Sequence, residues 1–149
     1  AYDAVVCECA LCTFPGKRAA AAEIVRVLRP GGRVGLTDVV VERTLPAELA
    51  GVAGWLACIA DALPAWGYVS LLEEAGLRVR RAERRDAALE RMIDQIEARL
   101  RVLGMTASDR LAEAGVDADA ALPYLESARR ALVEGRVGYV LVTAEKPPA

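Results

Sequence analysis

Histidine is missing from all 149 residues. That removes the commonest general base near neutral pH and the commonest zinc ligand from this segment. No apolar run approaches the ~20 residues that a membrane-spanning helix needs, so no membrane partner is expected. Basic charge is not in excess either: 19 Lys and Arg face 21 Asp and Glu, a formal net charge of −2. Such a chain has no global attraction to nucleic acid, and none is expected as a partner. Arg78, Arg80, Arg81, Arg84 and Arg85 do form a basic run. No aromatic residue interleaves it, so a solvated strand face is the expected reading. No secretory pattern accompanies the four cysteines, which are therefore expected as free thiols in a reducing cytoplasm. A glycine-rich turn opening a helix is also lacking. Gly31-Gly32-x-x-Gly35 precedes a strand-like run and reads as a turn, not as a phosphate loop.

The content that remains, 54% hydrophobic and 27% charged, suits one globular domain with a real core. Ala4 to Cys7 is a short apolar run of the kind found in parallel strands covered on both faces. Pro15-Gly16 breaks the chain, and a helix follows from about Lys17 with Ala20, Ile24, Val27 and Leu28 on one face. Arg29-Pro30-Gly31-Gly32 stops that helix, with glycine as a positive-φ cap, and Arg33 to Val41 is the next strand. A strand–helix–strand unit this compact implies a parallel pair with a right-handed crossover. Leu45 to Leu63 reads as loop then helix, with Trp55, Leu56 and Ile59 on its stripe. Tyr68 to Ala75 is a helix capped by Gly76, and Leu77 to Arg84 a strand. Leu89, Met92, Ile93, Ile96, Leu100 and Leu103 mark an amphipathic helix, core-facing or lid-like. Ser108 and Asp117 are helix caps, and the last helix runs to about Glu134 with Leu125, Leu132 and Val133 inward. Gly135 ends it, Val137 to Thr143 is a final strand, and Lys146-Pro147-Pro148 is a frayed tail.

The run Tyr2-Asp3-Ala4-Val5-Val6-Cys7-Glu8-Cys9, the helix, the Pro-Gly-Gly turn and the strand through Thr37-Asp38 resemble the fourth and fifth strands of class I S-adenosylmethionine-dependent methyltransferases. Tyr68 to Leu77 is similar to the helix entering that family's sixth strand, and Val137 to Thr143 to its seventh, antiparallel strand. The resemblance implies an α/β fold: the carboxy-terminal half of a Rossmann-like sheet, mostly parallel, with its last strand antiparallel and the four strands side by side. Residues 1–149 would form one partial domain, with a core over 1–86, a helical insertion over 87–135 and a final strand over 136–144. The insertion is longer than the family's usual connection. The glycine-rich half that holds the cofactor in this family is not in the sequence, so the chain is expected to be part of a larger enzyme and inactive alone. It would present a raw edge at the first strand, open to self-association.

Two local matches resemble arsenite methyltransferases. Cys9 follows the fourth-strand-like run, and Cys58-Ile59-Ala60-Asp61-Ala62-Leu63 is similar to that group's Cys-x-Gly-Gly-Ala-Leu element. Ala60 and Asp61 depart from its glycines, and Cys7 and Cys12 have no counterpart. The implied reaction is methyl transfer from S-adenosylmethionine to trivalent arsenic held by Cys9 and Cys58, with Cys7, Glu8 and Cys9 bordering the cofactor. Thiolates are natural ligands for so soft a metalloid. Trivalent arsenic is the preferred acceptor on this reading; the alternative is a small organic acceptor with Cys9 and Cys58 as packing residues. A non-catalytic domain that binds a soft metal or metalloid, or dimerises through its edge strand, is the reading from another class. No metal site is expected: Cys7, Cys9, Cys12 and Cys58 lack paired zinc-knuckle spacing, and Cys9-x-x-Cys12 lacks the helix-start setting of a redox pair. Glu8 and Asp38 read either as functional or as strand-end residues.

Overall fold

The computed structural model describes residues 1–50, 59–113, 115 and 117–148. Cys58, Trp55 and Leu56 lie outside the described residues. β1 (Tyr2–Glu8), α1 (Lys17–Val27) and β2 (Leu28–Val41) form the expected crossover unit, with β1 and β2 parallel. There follow α2 (Ala65–Glu74), β3 (Arg78–Arg84), α3 (Asp86–Thr106), the short α4 (Ser108–Glu113), α5 (Ala118–Val133) and β4 (Val137–Glu145). The four strands form one sheet in the order β1-β2-β4-β3. β4 runs antiparallel to both β2 and β3, so the other three strands are parallel to one another. That is the mostly parallel α/β sheet, with its last strand antiparallel, that the sequence leads one to expect.

The two faces of the sheet are covered unequally. On β2, Val34, Leu36 and Val40 join Val140, Val142 and Ala144 of β4 in a core roofed by Ala21 of α1 and Tyr68, Leu71 and Leu72 of α2. On the opposite face Val39 and Val137 meet Leu89 and Ile93 of α3 and Leu125 and Ala128 of α5. That second core covers only the carboxyl half of β2, because side chains alternate along a strand and residues 33, 35 and 37 of this face lie beyond the helices. β1 is an edge strand with one face bare, so the both-sides burial expected of its apolar run is not found: Val6 is 79% exposed. The other edge, β3, carries the arginine run, paired with acids in Arg80–Glu145, Arg84–Glu42 and Arg85–Glu83. Charged edges resist strand addition; β1 has no such row.

Several expected boundaries shift. β2 begins at Leu28, directly after α1, and Arg29-Pro30-Gly31-Gly32 is a bulge in the β1–β2 pairing instead of a helix cap. Gly31 supplies φ 74, while a Cβ at Gly32 would meet the Arg29 carbonyl oxygen at 2.8 Å. Val133 is 83% exposed, outward and not inward, because α5 ends there. Lys146 is anchored, not frayed: its ammonium donates to the carbonyls of Val25 and Leu28 at 2.7 and 2.8 Å. These are orphan acceptors at the end of α1, where a cation is favoured. Asp117 does cap α5, accepting the Ala120 N–H at 3.1 Å.

Gly135, at φ 65, closes α5 with its N–H on the Leu132 carbonyl, 2.9 Å, and the Arg136 N–H on that of Ala131, 2.8 Å. Gly135→Ala will lower stability by about 1–2 kcal/mol, the cost of a Cβ in the left-handed region. Gly104→Ala, at an exposed position of α3, will raise it by about 0.5–1 kcal/mol. Urea unfolding of both variants checks the opposite signs.

Candidate functional site: a cavity at the carboxyl ends of the parallel strands

The site begins where β1 stops. The Cys9 N–H extends the ladder by one more bond, to the Thr37 carbonyl at 2.8 Å, while Cys9 itself turns left-handed, φ 47. This is the one non-glycine residue with positive φ among those described. The turn is costly for a residue with a Cβ, and the next three residues hold it. Leu11 and Cys12, in a single helical turn over Leu11–Thr13, are fully buried. Asp38, 0% exposed, receives the Cys12 N–H on Oδ2 at 2.9 Å and the Val39 N–H on Oδ1 at 3.0 Å. Burial pushes the Asp38 carboxyl up from its ordinary range, against the hydrogen bonds from Cys12, Val39 and Leu11. Asp38 is thus neither a simple strand-end residue nor a ligand for something outside. It braces the turn after β1.

The left-handed step separates the two cysteines that strand alternation alone would aim to one side. Cys7 packs against the core under α1 and α2; burial, then the neighbouring Asp38, pushes its thiol pKa up. Cys9 packs against the second core, on the opposite face. Glu8, between them, is exposed. Among the described residues no group of His, Cys, Asp or Glu is placed to hold a metal ion.

Cys9 forms part of the wall of a 230 Å³ cavity. Val39 and Val137 of the sheet, Leu89, Met92, Ile93 and Ile96 of α3, and Tyr124, Leu125 and Ala128 of α5 supply most of the rest, with Ile59. The amphipathic stripe read from the sequence is therefore both core and cavity wall, since its i, i+3, i+4, i+7 spacing lays all four α3 residues along one face. Arg129 of α5 ties the two helices above the cavity, donating to Asp94 at 2.5 Å and Glu97 at 2.8 Å. Two features of the site escape the sequence reading: Tyr124, and the bracing role of Asp38. Tyr124 precedes Leu125 and lies four residues before Ala128, a spacing that would have placed it on the inward face of α5. Cys58, the second expected cysteine, is outside the described residues; Ile59, next in sequence, lines the cavity.

A protein-family model described as a methyltransferase domain matches residues 1–36, which span β1, α1 and the first part of β2. Three solved structures superpose over nearly the whole chain. The [4+2]-cyclase SpnF is 24% identical with a TM-score of 0.74, covering 100% of this chain and 52% of its own. Cyclopropane synthase MmaA2 from Mycobacterium tuberculosis is 17% identical at 0.75, covering 97% and 55%. Phosphoethanolamine N-methyltransferase 2 from Haemonchus contortus, in complex with phosphomonomethylethanolamine and S-adenosylhomocysteine, is 15% identical at 0.77, covering 98% and 34%. The chain has the fold found in part of Rossmann-like methyltransferase structures. It spans about half the length of the first two structures and a third of the last. A cyclase, a cyclopropane synthase and an N-methyltransferase share it, so the fold does not choose the reaction.

Asp38→Asn presents an amide N–H₂ to one of the two main-chain donors and will cost about 1–3 kcal/mol. A raised folded pKa means that wild type loses stability as pH climbs from about 4 through the raised value, because the native state holds its proton longer. The variant has no such loss, so its deficit will shrink over that window. Urea unfolding of both proteins between pH 4 and 7 reads the difference.

Proposed function

We propose that this chain is the acceptor-binding half of an S-adenosylmethionine-dependent methyltransferase. The observation that carries the reading is the position of the cavity. In open α/β sheets ligands bind outside the carboxyl ends of the parallel strands, and Cys9, directly after β1, stands in the cavity wall. The match of the methyltransferase-domain model to residues 1–36 supports the same reading. The residues present fit one margin of the cofactor. Glu8, exposed at the strand end, suits its hydroxyl or ammonium groups, the Cys9 turn borders it, and Cys7 supports both from the core below. The reading requires that the remaining cofactor contacts come from a glycine-rich segment outside these 149 residues. When bound, the cofactor supplies a sulfonium methyl open to in-line displacement.

This chain's own contribution is to seat the acceptor, align its lone pair with that methyl and keep water out. The carbon–sulfur bond breaks as the acceptor–carbon bond forms, and the sulfur keeps the electron pair. A small organic acceptor is the reading the hydrocarbon lining favours. Arsenite held by Cys9 and Cys58 is the second reading, favoured by Cys9 in the wall and by Ile59, next to Cys58, in the same wall. No described helix is long and apolar enough to cross a membrane, and a cytoplasmic location is part of the proposal. So is self-association through the open β1 edge, where Tyr2 is 65% and Val6 79% exposed.

Calorimetric titration of S-adenosylmethionine into the 149-residue chain will give no saturable heat, and saturable binding would contradict the division of labour proposed. In the enzyme carrying both halves, Cys9→Ser with Cys58→Ser will leave turnover of an organic acceptor largely intact, since on this reading neither sulfur takes part in the reaction. Turnover on arsenite that vanishes in that variant would favour the second reading.

A further inference from the structure

On the cavity's face of the sheet, two hydroxyls stand just beyond the apolar lining. Tyr139 of β4 lies directly opposite Val39 in the β2–β4 register and two residues after Val137, and both valines line the cavity. Residues opposite one another on neighbouring strands share a face, as do residues two apart on one strand. Tyr139 packs against the cavity-side core, and its hydroxyl reaches along β2 to donate to Thr37 Oγ1 at 3.2 Å. Thr37 is on the same face again, two residues before Val39, and its carbonyl holds the Cys9 N–H. Both side chains are half-buried. The pair therefore stands at the carboxyl ends of β1 and β2, between the cavity wall and the bare part of the sheet.

The chemistry of the pair is that of neutral hydroxyls. Burial pushes the Tyr139 pKa up, so the phenol keeps its proton. Hydroxyls each donate once and accept twice, so a pair sharing one bond can take a third. Their separation exceeds the about 2.7–2.8 Å usual between hydroxyls, and a weak mutual bond is cheaply shared. Glu8 is the β1 partner of Thr37 and faces the same side; its carboxylate disfavours an anionic group there. An apolar cavity of about 150 Å³ holds a benzene; this one, at 230 Å³, has room for such a ring. From Val39 back to Thr37 is about 6.6 Å along the strand, the reach of a short carbon tether. An oxygen held at the pair lies beside Glu8 and the Cys9 turn, the margin assigned above to the cofactor.

We propose that Thr37 and Tyr139 hold the hydroxyl of the acceptor: an alcohol whose apolar body fills the cavity and whose oxygen, on a short tether, hydrogen-bonds both side chains. The proposal deepens the acceptor-site reading of the cavity and rests on it, but its test needs no cofactor and no turnover.

Hydrocinnamyl alcohol carries its hydroxyl on a propyl tether from a phenyl ring, and hydrocinnamyl fluoride differs from it only in fluorine for that hydroxyl. Both are titrated into the 149-residue chain and followed by amide chemical shifts. In the double variant Thr37→Val with Tyr139→Phe, affinity for the alcohol will fall about fivefold while affinity for the fluoride is kept. Removing both partners of one hydrogen bond together is nearly neutral for stability, and Tyr139→Phe alone, expected to show a smaller loss of the same sign, stands in should the pair fail to fold. Alcohol affinity unchanged in the variant would overturn the proposal. Equal losses for both probes would overturn it too, since the hydroxyls would then only support the sheet. Failure of both probes to bind wild type would do the same, yet would leave methyl transfer to arsenite standing. A hydroxyl preference lost in the double variant supports the proposal even in an enzyme that transfers no methyl group, a result that would sink the methyltransferase reading alone.

Discussion

A carboxylate buried in the sheet decides where the first strand ends, and the site depends on that ending. Asp38 accepts main-chain N–H groups from both its own strand and the turn after β1. The turn residues Leu11 and Cys12 are packed out of solvent, where an unpaired N–H would cost about as much as a lost hydrogen bond. With that turn pinned, Cys9 is held left-handed, and its side chain crosses from the face of Cys7 to the face of the cavity. The fully buried Tyr68 hydroxyl ties the next carbonyl of β2, that of Val39, into the same framework. A sheet residue usually packs; here one is used to aim the chain that leaves the neighbouring strand.

The cavity arises from the unequal covering of the sheet. α1 and α2 close one face with aliphatic side chains and Tyr68. On the other face α3 and α5 cross only the carboxyl end, held by packing and by Arg129 between Asp94 and Glu97. Exposed ion pairs of this kind contribute at most about 1 kcal/mol each, so burial of the apolar stripes carries most of the attachment. The helices stand off the sheet far enough to leave room between them, and the carboxyl ends of β1 and β2 open into it. The uncovered remainder of that face, around Val6 and Gly35, is a shallow depression beside the open β1 edge.

Much of the fold is legible in the sequence because its punctuation is strong. Gly76 and Gly135 each end a helix with positive φ, and the alternation and β-branching of β2 and β4 leave little ambiguity. The departures have physical causes. The apolar run of β1 reads as buried on both faces, but an edge strand of this composition is indistinguishable from a central one when its neighbour is not in view. Pro30-Gly31-Gly32 reads as a helix stop, and only the register shows that the chain bulges there within the β1–β2 pairing. The site is half legible. Cys9 stands out by its place after the strand, and the stripe of α3 by its period. Asp38 as a brace depends on a contact with the turn after β1, far from it in sequence, which neither period nor spacing encodes; Tyr124 shares the inward spacing of Leu125 and Ala128 on α5, and only the packing of α5 puts that face in the cavity wall.

The central claim is that the carboxyl ends of the parallel strands, roofed by α3 and α5, form a pocket for a small organic acceptor. Amide chemical-shift mapping with saturating indole tests it most directly. Perturbations are expected to cluster at Cys9, Val39, Leu89, Ile93 and Leu125, the residues around the cavity. Perturbations clustered at Ala4, Val6, Gly35 and Thr143 on the bare part of the sheet, with the cavity residues unmoved, would contradict it.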